Sequence, residues 1–313
     1  MSARRKDGHI ARKKSLRSRL AGVAVLLPAA ALSALACTAA ATSPTGSPSV
    51  PTSASPAGSP SGPSAGPPAT AAGPAGGDSA GRRWAPAVGT TWQWQLSGPV
   101  DPRIDVPVYD IDGFGNDAAV VRRLHALGRR VICYVNVGAA ENYRPDYKRF
   151  PARVLGRPNG WPGERWLDIR RLDVLGPIMT ARFDMCRDKG FDAVEPDLVE
   201  NYTEATGFPL TAADQLAYNR LIARLAHERG MSVGLKNDLD QIDELLRDFD
   251  FAVNEECVQF HECRALTRFI KAGKAVLHVE YRISPDRFCP VTKPLGLSSM
   301  RKRLALDAWR QPC

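Results

Sequence analysis

Short apolar segments alternate with amphipathic segments along most of the chain, and this alternation restricts the possible folds more than any other feature. Seven segments are rich in β-branched and aromatic residues and have the length of buried strands: 92–96, 106–111, 131–135, 193–195, 232–235, 251–253 and 275–279. A weaker eighth lies near 297–304. Helical patterns occupy 116–127, 175–189, 212–229, 241–247 and 262–272. Repeated strand–helix units of this kind predict a parallel sheet that is covered on both faces.

Residues 84–313 are therefore predicted to form a single α/β domain, a TIM-like (β/α)8 barrel. Their number is close to the ~250 residues that are typical of such barrels. The competing prediction is an open, doubly wound sheet, in which polar residues concentrate at one switch point of the strand order. Here polar residues follow nearly every strand segment, which favours the barrel.

Acidic and amide side chains end six of the strand segments. They include Asp110, Asp112, Asn136, Glu195, Asp197, Asn237, Asn254, Glu255, Glu256 and Glu280. One acid after a strand is usually a helix cap or a loop charge. Six strand ends in register predict instead an acidic cleft at the carboxyl rim of the barrel.

Aromatic residues lie near the same strand ends and suit a carbohydrate cleft, because sugars present both apolar C–H faces and polar edges. The candidates for substrate contact are Trp92, Tyr134, Tyr202 and Tyr281. The alternative for Trp92 is a place in the core of the barrel.

Residues 1–37 have the features of an export signal. A basic stretch precedes an uncharged segment, 20–36, which is marginal in length for a membrane-spanning helix. Eight of the 42 lysine and arginine residues and one of the 33 acidic residues lie in 1–37, so the remainder has 34 basic and 32 acidic residues. Most of the net charge of +9 thus belongs to the leader, and we expect no nucleic-acid partner.

The segment before Cys37, Ser33-Ala-Leu-Ala36, resembles a bacterial lipobox, with its leucine one position nearer the cysteine than usual. We expect a lipid on Cys37 that holds the protein at the outer face of the cell membrane. Cleavage with secretion and an uncleaved anchor are the alternatives. Residues 38–83 consist mostly of Pro, Ser, Thr, Ala and Gly and are predicted to be a disordered linker, either a spacer or a low-complexity remnant.

Six cysteines follow Cys37, an even number that favours disulfides in an exported protein. Cys257 with Cys263 would close a small loop, and Cys289 with Cys313 would fix the C-terminus. Cys133 and Cys186 form the third pair or stay as buried thiols. The cysteine and histidine spacings do not predict a zinc site, and we expect no metal and no cofactor.

A set of segments spread over the folded region forms a recognisable pattern: Trp92–Leu96, Tyr109–Asp112, Ile132–Glu141, Trp166–Ile169, Lys189–Asp197, Leu235–Asn237 and Asn254–Cys257 through Glu262-Cys263. In these segments the chain resembles glycoside hydrolase family 114, the endo-α-1,4-polygalactosaminidases. The resemblance covers the whole domain in order, but neither the leader nor the linker. One departure is Leu198-Val-Glu200, where the family often has Asn-Val-Asp.

The resemblance implies a secreted barrel that hydrolyses α-1,4-linked, galactosamine-rich polymers with Asp197 and Glu255 as its two carboxylates. Glycoside hydrolysis needs such a pair, one ionised and one carrying a proton. By analogy with barrels that act on α-linked galactosides, Asp197 is assigned as nucleophile and Glu255 as acid/base. Glu256 is the alternative to Glu255, because the strand register is not fixed by the sequence.

The other residues of the rim are expected to bind substrate: Trp92, Asp110, Asp112, Tyr134, Asn136, Glu195, Tyr202, Lys236, Asn254, Glu256 and Tyr281. Glu195 and Lys236 are also candidates for orienting or charging the catalytic pair. We expect a monomer that acts on a galactosamine-rich polysaccharide. The alternatives are a barrel that acts on another α-linked polysaccharide and a barrel that binds polysaccharide without cleaving it.

Overall fold

The computed structural model describes residues 83–313, so the predictions for the signal segment 1–37, for Cys37 and for most of the linker lie outside the described residues. The strands are β1 Trp92–Gln95, β2 Val108–Asp112, β3 Arg130–Asn136, β4 Ala139–Glu141, β5 Leu155–Pro158, β6 Glu164–Leu167, β7 Ala193–Asp197, β8 Ser232–Lys236, β9 Phe251–Glu255, β10 Val276–Glu280, β11 Ser298–Arg301 and β12 Gln311–Pro312. The helices are α1 Ala118–Ala126, α2 Leu172–Lys189, α3 Ala212–His227, α4 Ile242–Leu245, α5 Cys263–Lys271 and α6 Pro285–Thr292.

A nine-stranded sheet in the order β1-β2-β3-β7-β8-β9-β10-β11-β12 forms the centre of the fold. All neighbours pair in parallel except β11 and β12, which are antiparallel. The mixed α/β class and all eight predicted strand segments are confirmed. A second, three-stranded antiparallel sheet, β4-β6-β5, fills the connection between β3 and β7.

Alternate residues of the parallel strands point to two different cores. One core lies between the sheet and the helices and contains Val131, Val194, Val233 and Leu266 among many others. The second core lies on the opposite, inner face, where side chains from β1, β2, β3, β7, β9, β10 and β11 meet. Because strands from both ends of the sheet contribute to this inner core, the sheet is strongly curled.

The first and last parallel strands are connected through the C-terminal segment 303–313. The backbone N–H groups of Leu96 and Ser97 both donate to the Leu306 carbonyl, at 2.9 and 3.2 Å. The Trp92 indole donates to the Ser298 carbonyl at 2.9 Å, and the Arg310 guanidinium donates to the Trp92 carbonyl at 3.0 Å. These bonds hold β1 close to β11 without a ladder between them.

The predicted disulfides Cys257–Cys263 and Cys289–Cys313 are present. Cys133 and Cys186, which the sequence left open between a disulfide and buried thiols, form a third one. Cys133 and Cys186 are fully buried and join β3 to α2. Among residues 83–313, no helix is long and apolar enough to cross a membrane.

Candidate active site

The candidate active site lies where the parallel strands β7, β8 and β9 end. Asp197 is the last residue of β7, Lys236 is the last residue of β8, and Glu255 is the last residue of β9. Since β8 lies between β7 and β9 in the sheet, its lysine side chain is placed between the two carboxylates.

Lys236 bridges the two carboxylates directly. Its Nζ lies 2.8 Å from Asp197 Oδ1 and 3.4 Å from Glu255 Oε2, so those two oxygens are no more than about 6.2 Å apart. The lysine side chain is only 3% exposed, whereas that of Asp197 is 16% exposed and that of Glu255 is 27% exposed. The cation is thus covered, and the two acids are open to the cleft.

Burial alone would lower the pKa of Lys236, but the charges of Asp197, Glu255 and Glu195 outweigh burial and raise this pKa well above its ordinary value. The side chain therefore stays an ammonium ion. It forms an ion pair with Asp197.

One tyrosine hydroxyl contacts each carboxylate. Tyr134 donates to Asp197 Oδ2 at 2.8 Å, and Tyr281 donates to Glu255 Oε1. Burial, followed by the neighbouring carboxylates, raises the pKa of both tyrosines well above the usual value. Both hydroxyls are therefore neutral hydrogen-bond donors, which orient the acids without adding charge.

Four of the residues expected to touch substrate lie below the cleft or behind it. Their side chains are 0–1% exposed, so a sugar in the cleft cannot contact them; the four are Trp92, Asp110, Glu195 and Asn254. Trp92 packs in the inner core, which is the alternative that its strand position allowed. Asn254 points away from the inner face and donates to Asn237 Oδ1 at 3.1 Å, which fixes the loop after β8.

The strand register distinguishes Glu255 from Glu256. Glu255 is paired with Val279, an inner-core residue, and its carboxylate reaches Lys236. Glu256 is 7% exposed and has a positive φ of 60°, so the chain turns there and its side chain leaves the inner face. Glu255 is therefore the acid that the geometry joins to Asp197.

The remaining candidates surround the cleft with different degrees of burial. Asp112 is ion-paired with Arg144, and Asn136 Oδ1 accepts from the N–H of Ala139 at 2.8 Å. Both are less than 9% exposed, so they shape loops of the rim. Tyr202 is half-buried beside Asp238.

The three-stranded sheet adds a group that the sequence interpretation did not single out, the carboxylate of Glu164. It accepts hydrogen bonds from Asn159 at 2.8 Å, Tyr143 at 2.9 Å and Asn136 at 3.3 Å. Burial raises the pKa of Glu164, and the charge of Asp197 raises it further, against the hydrogen bonds from Asn159 and Tyr143. Within the described part of the chain, no cationic side chain lies within 4.0 Å of it.

Two aromatic side chains stand beside Glu164 and are open to solvent. Tyr143 is 59% exposed and Trp161 is 51% exposed. A groove of about 350 Å³ runs along this hairpin and is lined by Trp161, Glu164 and Arg165 among others. The sequence did not predict this small sheet, because β5 contains Gly156 and Pro158 and shows no clear alternation.

Among residues 83–313, one group of side chains has the atoms and proximity to suggest a metal site. It consists of Cys257, Cys263 and His278, whose ligand atoms lie within 4.8 Å of one another. The two cysteines form a disulfide, so they provide no thiolate. Nothing in this group therefore suits a metal ion.

Comparison with known proteins gives a consistent result. The family model of glycoside hydrolase family GH114 matches residues 74–313. The solved structure of Aspergillus fumigatus Ega3 in complex with galactosamine is 37% identical, covers 76% of this chain and 100% of its own, and has a TM-score of 0.71. A protein of Deinococcus radiodurans is 30% identical over 237 residues, covering 64% of this chain and 75% of its own length.

The glycoside hydrolase domain of PelA from Pseudomonas aeruginosa is also similar in structure. It is 12% identical, covers 72% of this chain and 98% of its own, and has a TM-score of 0.56. At this identity the likeness concerns the fold alone.

Proposed function

The chain belongs to glycoside hydrolase family GH114, and from that premise we propose that it cleaves α-1,4-linked, galactosamine-rich polysaccharide with Asp197 and Glu255 as its catalytic carboxylates. The observation that carries this proposal is the position of the two acids, at the ends of β7 and β9 and on either side of the Lys236 ammonium. We further propose that the eight parallel strands form a TIM-like barrel, with β1 and β11 joined by the C-terminal segment.

Asp197 is the nucleophile in this proposal. Its carboxylate contacts the Lys236 ammonium on one oxygen and the Tyr134 hydroxyl on the other, and both contacts hold it in position. It attacks the anomeric carbon, and the electrons of the breaking C–O bond pass to the glycosidic oxygen. Glu255 gives its proton to that oxygen, so the shortened chain leaves as an alcohol.

In the second half of the reaction, Glu255 takes a proton from water while the water oxygen attacks the anomeric carbon. Asp197 leaves as a carboxylate, and both acids return to their first states. The bound of about 6.2 Å between their nearest oxygens lies below the roughly 6.5–9.5 Å of inverting glycosidases. We therefore propose that the configuration at the anomeric carbon is retained.

The substrate class is inferred from charge. A galactosamine unit without its acetyl group carries an ammonium ion at neutral pH, which an acidic cleft attracts. Glu164 is an acid near Asp197 that neutral donors hold in place and that lacks a cationic partner within 4.0 Å among residues 83–313. The 37% identical Ega3 structure, which contains galactosamine, supports the same class of sugar.

Export is proposed from the leader, with a lipid on Cys37 as its anchor. The three disulfides within residues 133–313 support export, because such bonds persist in oxidising compartments. Membrane fractions from cells fed a radiolabelled fatty acid should contain labelled protein, and the Cys37→Ala variant should carry no label. Label on both forms would contradict lipidation at this cysteine.

The activity is tested on partly deacetylated poly-α-1,4-galactosamine. The wild-type protein should release short oligomers, and proton NMR of the first products should show α-anomers before mutarotation. The Asp197→Asn variant should release almost nothing while keeping its melting temperature. Initial β-anomers would contradict retention of configuration. Tight binding without cleavage would indicate a binding protein, and neither binding nor cleavage would mean that the sugar is a different one.

A further inference from the structure

Two acidic side chains lie side by side directly beneath the candidate active site. Asp110 of β2 and Glu195 of β7 each precede a rim acid by two residues, so they point to the same inner face one layer lower. Both are 0% exposed, and their carboxyl groups lie within hydrogen-bonding reach of each other.

A hydrogen bond between two carboxyl groups requires a proton, and the surrounding protein offers few other donors. Apart from this mutual contact and Lys236, no group among residues 83–313 forms a hydrogen bond with the four oxygens of Asp110 and Glu195. Among the same residues, the only cation that contacts the pair is Lys236, whose Nζ lies 3.2 Å from Glu195 Oε1. Two buried carboxylates in contact cannot both be ionised under these conditions, because each charge disfavours the other.

The charged groups that face this pair indicate which acid holds the proton. Lys236 also contacts Asp197 and Glu255, so three carboxyl groups share one ammonium ion, and Asp110 meets one of the three, Glu195. Burial, and then the charge of Glu195, raise the pKa of Asp110 well above its usual value. Burial also raises the pKa of Glu195, but Lys236 and the hydrogen bond from Asp110 act in the opposite direction. Because the Lys236 ammonium contacts Glu195 and forms no ion pair with Asp110, the proton is assigned to Asp110.

We propose that Asp110 is protonated at neutral pH and donates its hydrogen bond to an ionised Glu195, so that the pair anchors the Lys236 ammonium from below, between Asp197 and Glu255. This proposal rests on the proposed roles of those two acids. In it, Asp110 and Glu195 are positioning residues, which act on the reaction through Lys236 and touch no substrate. Trp94, whose ring centroid lies 4.8 Å from Lys236 Nζ, forms the apolar side of the same anchor.

Substitutions at Asp110 and Glu195 distinguish a protonated Asp110 from an ionised one by their effect on kcat. Asp110→Asn keeps a neutral donor of the same shape, so kcat should stay within about threefold of the wild type and the pH profile should be unchanged. Asp110→Leu removes the donor, and Glu195→Gln removes the anion that holds Lys236. Each should lower kcat by roughly 10- to 100-fold with a smaller change in KM, as for other residues that orient catalytic groups.

Infrared spectroscopy detects the proposed proton on Asp110 directly, and the measurement needs no substrate. The Asp110→Asn minus wild-type difference spectrum should show the loss of a protonated-carboxyl C=O band. The control is Asp168→Asn, another buried aspartate, which is ion-paired with Arg170 at 2.7 Å and should lose only carboxylate bands.

A difference spectrum without the loss of a protonated-carboxyl band would overturn the proposal, and so would a loss of kcat in Asp110→Asn as large as that in Glu195→Gln. The infrared result also stands if the protein cleaves no galactosamine polymer. Failure of the proposed function is thereby distinguishable from failure of this inference.

Discussion

The inner face of the sheet has a lower half of apolar side chains and an upper half of charged side chains, and the same strands contribute to both. Strand β9 shows the change in three residues on one face: Phe251 and Val253 are fully buried hydrocarbon, and Glu255 is the acid that faces the cleft. Strand β7 changes in the same way, from Ala193 to Glu195 and Asp197. Residues two apart on a strand share a face, so one strand places a buried apolar side chain and an acidic side chain about 7 Å apart.

This difference shows how the fold keeps a strained group of charges in place. The lower half gains its free energy of folding by removing large side chains from water. The upper half contains four acids around one lysine, an arrangement that costs free energy unless every proton and hydrogen bond is in place. Changes in the lower half should therefore reduce stability, and changes in the upper half should reduce activity.

The largest expected effect is on activity, at Glu255. The Glu255→Gln variant keeps its hydrogen bonds but has no proton to give, so its kcat on the polymer should fall by roughly 10²- to 10⁴-fold. A nitrophenyl α-galactosaminide needs little protonation of its leaving group, and its bond cleavage should be much less affected. Steady-state and burst kinetics on both substrates measure this contrast.

Asp197→Asn is the matched control, because the nucleophile is required for both substrates. It should lose activity on the polymer and on the nitrophenyl substrate alike. If Asp197→Asn rather than Glu255→Gln retained activity on the nitrophenyl substrate, the two roles would have to be exchanged.

The next effect is on stability, at Phe251. Its ring is fully buried and packs so tightly on Gly234 that a methyl group at Gly234 would lie 2.5 Å from it. Phe251→Ala should lower the free energy of unfolding by about 3–5 kcal/mol, measured by urea denaturation. The kcat per folded molecule should remain close to that of the wild type. A large fall in kcat at temperatures where the variant is folded would mean that the two halves are not separable.

A smaller effect on substrate binding is expected at Glu164. Glu164→Gln keeps a similar shape but removes the negative charge, so KM for the deacetylated polymer should rise by roughly fivefold, equivalent to about 1 kcal/mol. Added salt should reduce the difference between variant and wild type. The fully acetylated polymer, which has no ammonium groups, should show no such rise.

The control for Glu164 is Asp173→Asn, which removes an exposed acid that is ion-paired with Arg171. Its KM should not change. An equal rise of KM on both polymers for Glu164→Gln would indicate that the residue shapes the cleft and does not recognise charge.

The smallest effect concerns the pH dependence of stability, at Asp238 on the rim. Burial, and then the charges of Glu200 and Asp240, raise its pKa from 3.8 to about 9. The folded protein keeps this proton over a range in which the unfolded chain releases it, so this group's contribution is complete below pH 3.8 and declines as pH rises towards 9.

Asp238→Asn should therefore show a melting temperature that falls less steeply between pH 4 and 9 than that of the wild type. Asparagine tolerates the positive φ of 43° at this position, so little backbone strain is added. A steeper fall in the variant would contradict the raised pKa.

The sequence predicted the parallel strands and most helices because their signals are local and periodic. The predicted segments 131–135 and 251–253 differ from the observed β3 and β9 by no more than two residues at either end. The three-stranded sheet and helix α6 were missed. Segment β5 contains both Gly156 and Pro158, and α6 contains Pro290, so neither follows a regular pattern.

The candidate site was predicted as a set of residues but not as a set of layers. The spacing of Glu195 and Asp197 indicates that they share a face, but it does not say how deep each lies. Depth depends on how strongly the sheet curls and on which side chains cover it. For the same reason, Asp110 and Glu195 were expected to bind substrate, whereas in the structure they are fully buried.

The segment 303–313 that joins β1 to β11 has a consequence for the order in which the protein is made. A ribosome synthesises β1 early, at residues 92–95, and the groups that bond to its open edge, Leu306, Ala308 and Arg310, more than two hundred residues later. Until then the first strand has an unsatisfied edge, which is open to wrong pairing. The Cys289–Cys313 disulfide cannot form before Cys313 is synthesised. Completion of this domain thus waits for residues 306–313, and until they are made the edge of β1 stays without the groups that cover it in the folded protein.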